Sequence, residues 1–117
     1  MFESTLARVV EQTSAHGAAL MSLEGLSIDA VGADGRPVHP DEVAREYASV
    51  FQQIVNGADA LDIGRVTELC VEGETESTLV RLLTPQYFVA LRLPNEQPQG
   101  KGRFYLRVAA PDLLREL

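Results

Sequence analysis

The sequence predicts an α/β protein with a single domain, in which helices and strands follow the order α-β-β-α-β-β-β-α. In some segments apolar residues recur at three- and four-residue intervals, as they do on one face of an amphipathic helix. In others they alternate with polar residues, as they do in half-buried strands. The length of 117 residues suits one domain with a core of its own. We therefore expect one domain over residues 1–117.

The first part of the chain predicts a helix followed by a hairpin. Residues 2–15 carry apolar side chains at helical spacing with charged residues between them, and Gly17 is a suitable helix stop. Residues 18–23 and 26–31 are two short segments joined by a Glu-Gly pair, which is typical of a tight β-hairpin. Residues 32–39 contain two glycines and a proline, so we expect an exposed loop there.

The longest periodic segment, residues 40–61, predicts the second helix. Pro40 suits a first helical turn, and Asp41 and Glu42 complement the positive helix N-terminus. At about 100° per residue, the apolar side chains cover an arc of roughly 160°. We divide the arc into a ridge (Val43, Tyr47, Val50 and Ile54) and a shoulder (Ala44, Ala48, Phe51 and Val55). The arc is wider than one core contact needs, so the helix is either deeply buried in its own domain or carries a partner surface.

The second half of the chain predicts three strands and a final helix. Residues 65–72, 76–83 and 87–93 are strand-like segments separated by short turns, which indicates a meander. Residues 94–102 hold two prolines and two glycines and are predicted to form a loop. The remaining segment fits both a strand and a helix, and we favour a helix that is kinked or restarted at Pro111.

Charge and cysteine content argue against several classes of function. The formal net charge is −7, and an acidic domain repels phosphate backbones, so we expect no nucleic-acid partner. Residues 1–91 carry 14 acidic and 5 basic side chains, whereas residues 92–117 carry 3 acidic and 5 basic ones. Cys70 is the one cysteine, so no intramolecular disulfide forms and a cytoplasmic location is expected. No apolar run approaches about 20 residues, so we expect neither secretion nor membrane insertion.

Candidate catalytic residues are few and form no recognised set. Cys70 has no triad pattern with His16 or His39, and these three residues also fall short of a zinc site. We expect Cys70 to be a structural residue of a strand, with apolar neighbours and a raised pKa. The glycines of residues 32–35 and 100–102 do not match a phosphate-binding loop and are predicted to be turns. We therefore expect no enzyme activity and no cofactor.

Acidic and aromatic residues also have plain structural interpretations. Four acidic residues could hold calcium or act as an acid/base pair, but acids on a strand more often solvate its outer face and guard an exposed edge. They are Glu68, Glu72, Glu74 and Glu76. The pairs Tyr87-Phe88 and Phe104-Tyr105 could stack a ligand, but we expect them to fill the core of a domain with few aromatic residues. No metal site is expected.

Several short motifs, in their order and spacing, resemble a known family. They are Gly17-Ala18-Ala19-Leu20 with Glu24-Gly25-Leu26, Gly64-Arg65-Val66 with Val71-Glu72-Gly73, residues 79–83, residues 87–93, and Gly100-Lys101-Gly102-Arg103-Phe104. Together they extend along the whole chain and are similar to the Roadblock family, which includes the roadblock dynein light chains and bacterial MglB-type GTPase regulators. Pro98 and Pro111 depart from the family pattern at the last helix.

The resemblance implies a five-stranded antiparallel sheet with the middle helix on one face and the terminal helices on the other. It also implies a non-enzymatic adaptor, scaffold or regulator that forms homodimers through its third strand and middle helix and binds a small Ras-like GTPase or its complex. The expected dimer residues are Ala44, Ala48, Phe51, Val55, Leu69 and Val71, and the expected GTPase contacts are Arg45, Ser49 and Gln52. The alternative is a PAS- or profilin-like small-molecule sensor, which also wraps helices around an antiparallel sheet.

Overall fold

The computed structural model describes residues 2–39 and 42–117, and the side chains of residues 42–45 lie outside the described part. Within that part, the chain forms three helices and five strands. They are α1 (Glu3–Thr13), β1 (Gly17–Ser22), β2 (Ser27–Gly32), α2 (Glu42–Ala60), β3 (Glu68–Glu72), β4 (Glu76–Leu82), β5 (Tyr87–Pro94) and α3 (Gln99–Glu116). The predicted order of elements is confirmed.

The five strands form one antiparallel sheet with the spatial order β2-β1-β5-β4-β3. The early hairpin joins the later meander because β1 pairs with β5. The edge strands are therefore β2 and β3. Cross-strand register places these side chains in one line on one face of the sheet: Ala30, Ala19, Ala90, Val80 and Leu69.

Two apolar cores lie on opposite faces of the sheet. On one face α1 contributes Leu6 and Val10, and α3 contributes Leu106 and Leu113. On the other face α2 contributes Phe51 to a smaller core. This arrangement confirms the predicted five-stranded sheet, with the middle helix on one face and the terminal helices on the other.

α3 begins at Gln99, so the prediction of a loop as far as residue 102 was wrong. Pro98 precedes the helix in an extended conformation, where the missing N–H of a proline costs little. Gly102 is buried, and a Cβ at this position would lie 2.7 Å from Cδ1 of Leu79. Gly102 therefore allows α3 to approach the sheet closely and is not part of a turn.

α3 continues through Pro111 to Glu116 as one helix, so the expected restart does not occur. A proline in a helix interior removes one backbone hydrogen bond and crowds the preceding turn, at a cost of about 3 kcal/mol. The burial of Ala109, Ala110 and Leu113 around the proline offsets that cost.

β3 begins at Glu68, three residues later than predicted. Asp62 and Gly64 have φ angles of 56° and 88°, so the chain bends in the left-handed region before the strand starts. The first backbone link to β4 is the hydrogen bond that Leu82 N–H donates to the carbonyl of Thr67, at 3.0 Å.

Candidate functional site

The described residues of α2 divide into a buried edge and an exposed edge. Ala48 and Phe51 form the buried edge and are almost completely inaccessible. The Phe51 ring meets Phe88 of β5 edge to face, with ring centroids 5.3 Å apart, and stacks on Tyr47 at 5.7 Å. Such ring pairs stabilise a core beyond the area they bury, so this edge determines how α2 sits on the sheet.

The exposed edge of α2 carries Val50 and Ile54, one helical turn apart, with exposures of 48% and 40%. Leu61 and Ile63, just after the helix, are exposed to a larger extent. A cluster of large exposed apolar residues in one stretch of chain differs from the scattered ones that a monomer usually shows. We name these four residues the α2 row.

The edge strand β3 borders the sheet face on which α2 packs, because Leu69 of β3 contacts the core beneath α2. Within the described residues, no strand pairs with its outer edge, so N–H and C=O groups there are open to another strand. Val71 is exposed on the α2 face, whereas Leu69 on that face is half-buried, as is Val55 of α2. An open strand edge and exposed apolar side chains are each features of a surface that binds protein.

The structure changes which apolar residues of α2 can form this surface. Ala48 and Phe51, expected at a dimer interface, lie in the core of their own chain, because the shoulder faces the sheet together with Tyr47 of the ridge. The ridge residues Val50 and Ile54 are the exposed ones. The side chain of Ala44 lies outside the described part. The dimer interface itself stays a prediction.

The structure describes the side chains of two of the three residues expected to contact a GTPase. Ser49 is exposed, and at about 100° per residue it lies on the far side of α2 from Phe51. Gln52 is half-buried, and its amide donates a hydrogen bond of 3.1 Å to Asn56 Oδ1. The side chain of Arg45 lies outside the described part. These GTPase contacts also stay a prediction.

Three arginines converge on Glu68 at the start of β3. Oε1 of Glu68 accepts hydrogen bonds from Arg81 at 2.8 Å and Arg107 at 3.1 Å, and Oε2 accepts two from Arg103, at 2.9 and 3.2 Å. Burial by itself raises the pKa of Glu68, but the hydrogen bonds and charges of Arg103 and Arg107 outweigh burial and lower that pKa. Ionised Glu68 therefore links β3 to α3 through ion pairs, whereas the sequence predicted only that it solvates the outer face of the strand.

Glu76 makes a similar contact on the α2 face. Arg92 donates to both of its carboxylate oxygens, at 2.9 and 3.0 Å, and His16 Nδ1 lies 3.5 Å away. The hydrogen bonds from Arg92 lower the pKa of Glu76 against the opposing effect of burial. These residues border a groove of about 480 Å³. Its floor includes small residues that face the α2 side, namely Ala19, Ala30 and Ala90.

Cys70 lies in the middle of β3 and is exposed. Its Sγ lies 3.7 Å from Oε1 of Gln99, and the pKa of the thiol is raised, first by burial and then by Glu72. The prediction of a strand residue with a raised pKa is confirmed, although the residue is not enclosed in the core. Among the described residues that line the cleft at Cys70, neither His16 nor His39 is found, so neither histidine is placed to activate the thiol.

Residues 2–39 and 46–117, whose side chains are described, present no metal centre. No group of three or more His, Cys, Asp or Glu residues in that part of the chain could hold a metal ion. None of the helices there has the length and hydropathy needed to cross a bilayer.

Solved structures that resemble the chain identify its family. A Roadblock/LC7 domain from Streptomyces avermitilis has a TM-score of 0.83 at 16% identity and covers 95% of this chain and 92% of its own. MglB from Myxococcus xanthus has a TM-score of 0.87 at 15% identity, over 97% and 92% of the two chains. MglC from Myxococcus xanthus is 36% identical over 99% of this chain and 98% of its own, with a TM-score of 0.72. The chain belongs to the Roadblock family.

The Roadblock assignment rests on these structures. No model of a protein family matches the sequence, and no curated protein matches it. Profilins share the architecture at lower similarity. Roadblock membership confirms the resemblance inferred from the motifs.

Proposed function

We propose that this chain is a homodimeric adaptor or regulator that binds a small Ras-like GTPase or its complex and performs no chemistry of its own. The observation that carries the proposal is the exposed α2 row together with the open outer edge of β3, whose Leu69 packs against the core beneath α2. Membership of the Roadblock family adds support, because adaptors and small-GTPase regulators are the class of function it indicates.

The first step of the proposal is the pairing of two copies through β3 and the α2 row. An antiparallel contact between two β3 strands joins the two sheets and gives partners to the outward backbone groups. Val71 and the four residues of the α2 row are 40% to 73% exposed. Burying them contributes about 5 kcal/mol per copy, at about 2 kcal/mol for each fully buried side chain.

Two copies therefore contribute about 10 kcal/mol, which is comparable with an association cost of about 4–15 kcal/mol. Apolar burial alone leaves little surplus. Strand pairing must supply the rest, so we expect the α2 row and β3 to act together and neither to suffice alone.

The second step is contact with the GTPase through the polar side of α2. Ser49 points away from the core and stays accessible when the α2 row is covered. Gln52 and Arg45 complete the proposed contact, with Arg45 in a docking role. A tenfold preference for one nucleotide state of the GTPase requires about 1.4 kcal/mol of differential contact, which a few side chains can supply.

Sedimentation of two matched α2 variants at micromolar concentration tests the first step. Ile54→Arg places a charge in the α2 row, whereas Ser49→Arg places the same charge on the opposite side of the same helix. We expect the native chain and Ser49→Arg to sediment as dimers and Ile54→Arg as a monomer. A monomeric native chain, or a dimeric Ile54→Arg variant, would contradict the proposed pairing.

Titration with small Ras-like GTPases from the same cell tests the second step. Each GTPase is loaded with GDP or with a non-hydrolysable GTP analogue. We expect one nucleotide form to bind more tightly, and Ser49→Arg to weaken that binding about tenfold while the dimer persists. Equal affinity for both forms, unchanged by Ser49→Arg, would remove the switch-reading role.

The alternative function, a small-molecule sensor, has one observation in its favour, the groove of about 480 Å³. Arg92 and Glu76 at its border are already bonded to each other, so a ligand would compete with that pair. An Ala90→Leu variant fills the floor of the groove. If a small molecule from the cell raises the melting temperature of the native chain but not of this variant, the sensor function is supported in place of the adaptor function.

A further inference from the structure

The outer face of α3 combines positive charge with exposed apolar side chains, on the opposite side of the sheet from α2. Residues 97–111 contain three basic and no acidic residues, although the whole chain has a net charge of −7. Phe104 and Val108, one helical turn apart, are 54% and 52% exposed. We name the following residues the α3 surface: Lys101, Arg103, Phe104, Arg107 and Val108.

The helical spacing places cations on both sides of the apolar strip. At about 100° per residue, Arg103 and Arg107 lie on one flank of the strip formed by Phe104 and Val108. Lys101 lies on the other flank, where Asp112 is paired with Arg8 and Arg115. A segment lying over the strip therefore meets positive charge on either side.

The arginine flank keeps an excess of charge and of hydrogen-bond donors. Three guanidinium groups, those of Arg81, Arg103 and Arg107, face the one carboxylate of Glu68, which leaves a charge of +2 from three positive charges and one negative. The side chains of Arg103 and Arg107 remain 55% and 58% exposed. Glu68 thus orients their planar forks and leaves donors for a second carboxylate, the group that such forks bind best.

Phe104 is oriented by its neighbour. Its ring lies edge to face with Tyr105, with centroids 5.2 Å apart and an interplanar angle of 85°. Tyr105 packs, as expected, against the core that α1 and α3 form with the sheet. Phe104 was also expected in the core but is exposed. An exposed aromatic ring with a fixed orientation is a suitable anchor for a partner.

We propose that the α3 surface binds an acidic amphipathic segment of a partner protein, with apolar side chains on Phe104 and Val108 and carboxylates on the flanking cations. Charge complementarity selects this occupant, because the surface is the basic part of an acidic chain. A lipid surface fits less well, since anionic membranes recruit clusters of about four to eight basic residues and α3 is seated on the sheet through Leu106. The site is on the face away from the α2 row, so either proposal can fail without the other.

The probe is a synthetic helical peptide with leucines at i, i+3, i+4 and i+7 and glutamates on both flanks, compared with a twin in which every glutamate is glutamine. The variants are Lys101→Glu and Phe104→Ser, both at exposed positions. Their matched controls are Arg36→Glu in the loop after β2 and Leu26→Ser in the hairpin, also at exposed positions. Affinity is measured at two salt concentrations, and amide chemical shifts locate the binding face.

We expect the glutamate peptide to bind more tightly than its twin, to weaken at higher salt, and to shift the amides of α3 and not those of α2. Lys101→Glu and Phe104→Ser should each lower its affinity about tenfold, whereas the two controls change it by less than about twofold. Equal binding of the two peptides, or equal losses in the controls, would overturn the proposal. Phosphatidylserine vesicles that bind in a Lys101-dependent manner and displace the peptide would also overturn it, in favour of a membrane.

Discussion

Substitution of Gly102 by alanine tests how closely α3 is seated on the sheet. At an open helical position, a change from glycine to alanine stabilises a protein by about 0.5–1 kcal/mol. At residue 102 the new Cβ would lie 2.7 Å from Leu79, 3.3 Å from Leu93 and 3.4 Å from Leu91. All three leucines are fully buried and have little room to yield. Since an extra methyl group in a packed core costs about 1–3 kcal/mol, we expect a net loss of about 0.5–2 kcal/mol.

Gly57→Ala in α2 is the matched control for this substitution. A Cβ at residue 57 would meet no heavy atom within 4 Å, so alanine there should stabilise the protein by about 1 kcal/mol. Urea denaturation of the native chain and both variants, followed by circular dichroism, measures the free energies of unfolding. A Gly102→Ala variant that is as stable as Gly57→Ala would refute the close approach of α3 to the sheet.

Three further predictions concern α2, Glu76 and Cys70. Phe51→Ala should lower the free energy of unfolding by about 3–5 kcal/mol, because the ring is buried between Tyr47 and Phe88, whereas Val50→Ala on the exposed edge should change it by about 0.5 kcal/mol or less. Similar losses in both variants would contradict the assignment of the two edges. The hydrogen bonds from Arg92 lower the pKa of folded Glu76, so its stabilisation is fully present above the unfolded pKa of about 4.3 and is lost as the pH falls through the folded pKa. Acid titration of stability should therefore be shallower in Glu76→Gln than in the native chain, and an identical slope would count against the ion pair. Cys70→Ala should leave the free energy of unfolding within about 0.5 kcal/mol of the native value, because the thiol is exposed, and a larger loss in urea denaturation would show a structural role.

The helices and strands that show a clear local pattern of apolar and turn residues were predictable from the sequence. α1 and the β1–β2 hairpin were predicted to within about two residues, because α1 buries one face at helical spacing and the Glu24-Gly25 pair marks the turn of the hairpin. The width of the apolar arc on α2 was also predictable. Its orientation was not, because periodicity shows where apolar residues lie and not which edge meets the sheet. The larger volume of Phe51 compared with Val50 was the one local signal for the buried edge.

Contacts between distant parts of the chain account for the rest of what the sequence did not predict. Glu68 binds arginines that are 13, 35 and 39 residues away, so a local pattern of acids could not show that it is paired. Gly102 was interpreted as a turn residue because glycine is common in turns, and its contact with Leu79 depends on how α3 docks. The groove likewise depends on alanines brought together from β1, β2 and β5.

Cross-linking through Cys70 tests most directly the central claim that two copies pair through β3 and the α2 row. Cys70 is the central residue of β3 and is exposed, and it is the one cysteine of the chain. In an antiparallel β3–β3 pair centred on it, the two Cα atoms are about 5 Å apart, and a register shift of two residues separates them by about 8 Å. A short bis-maleimide spans either distance. We predict that the native chain and Ser49→Arg each form one covalent dimer at micromolar concentration and that Ile54→Arg does not. A native chain that stays uncross-linked, or an Ile54→Arg variant that cross-links equally well, would contradict the account.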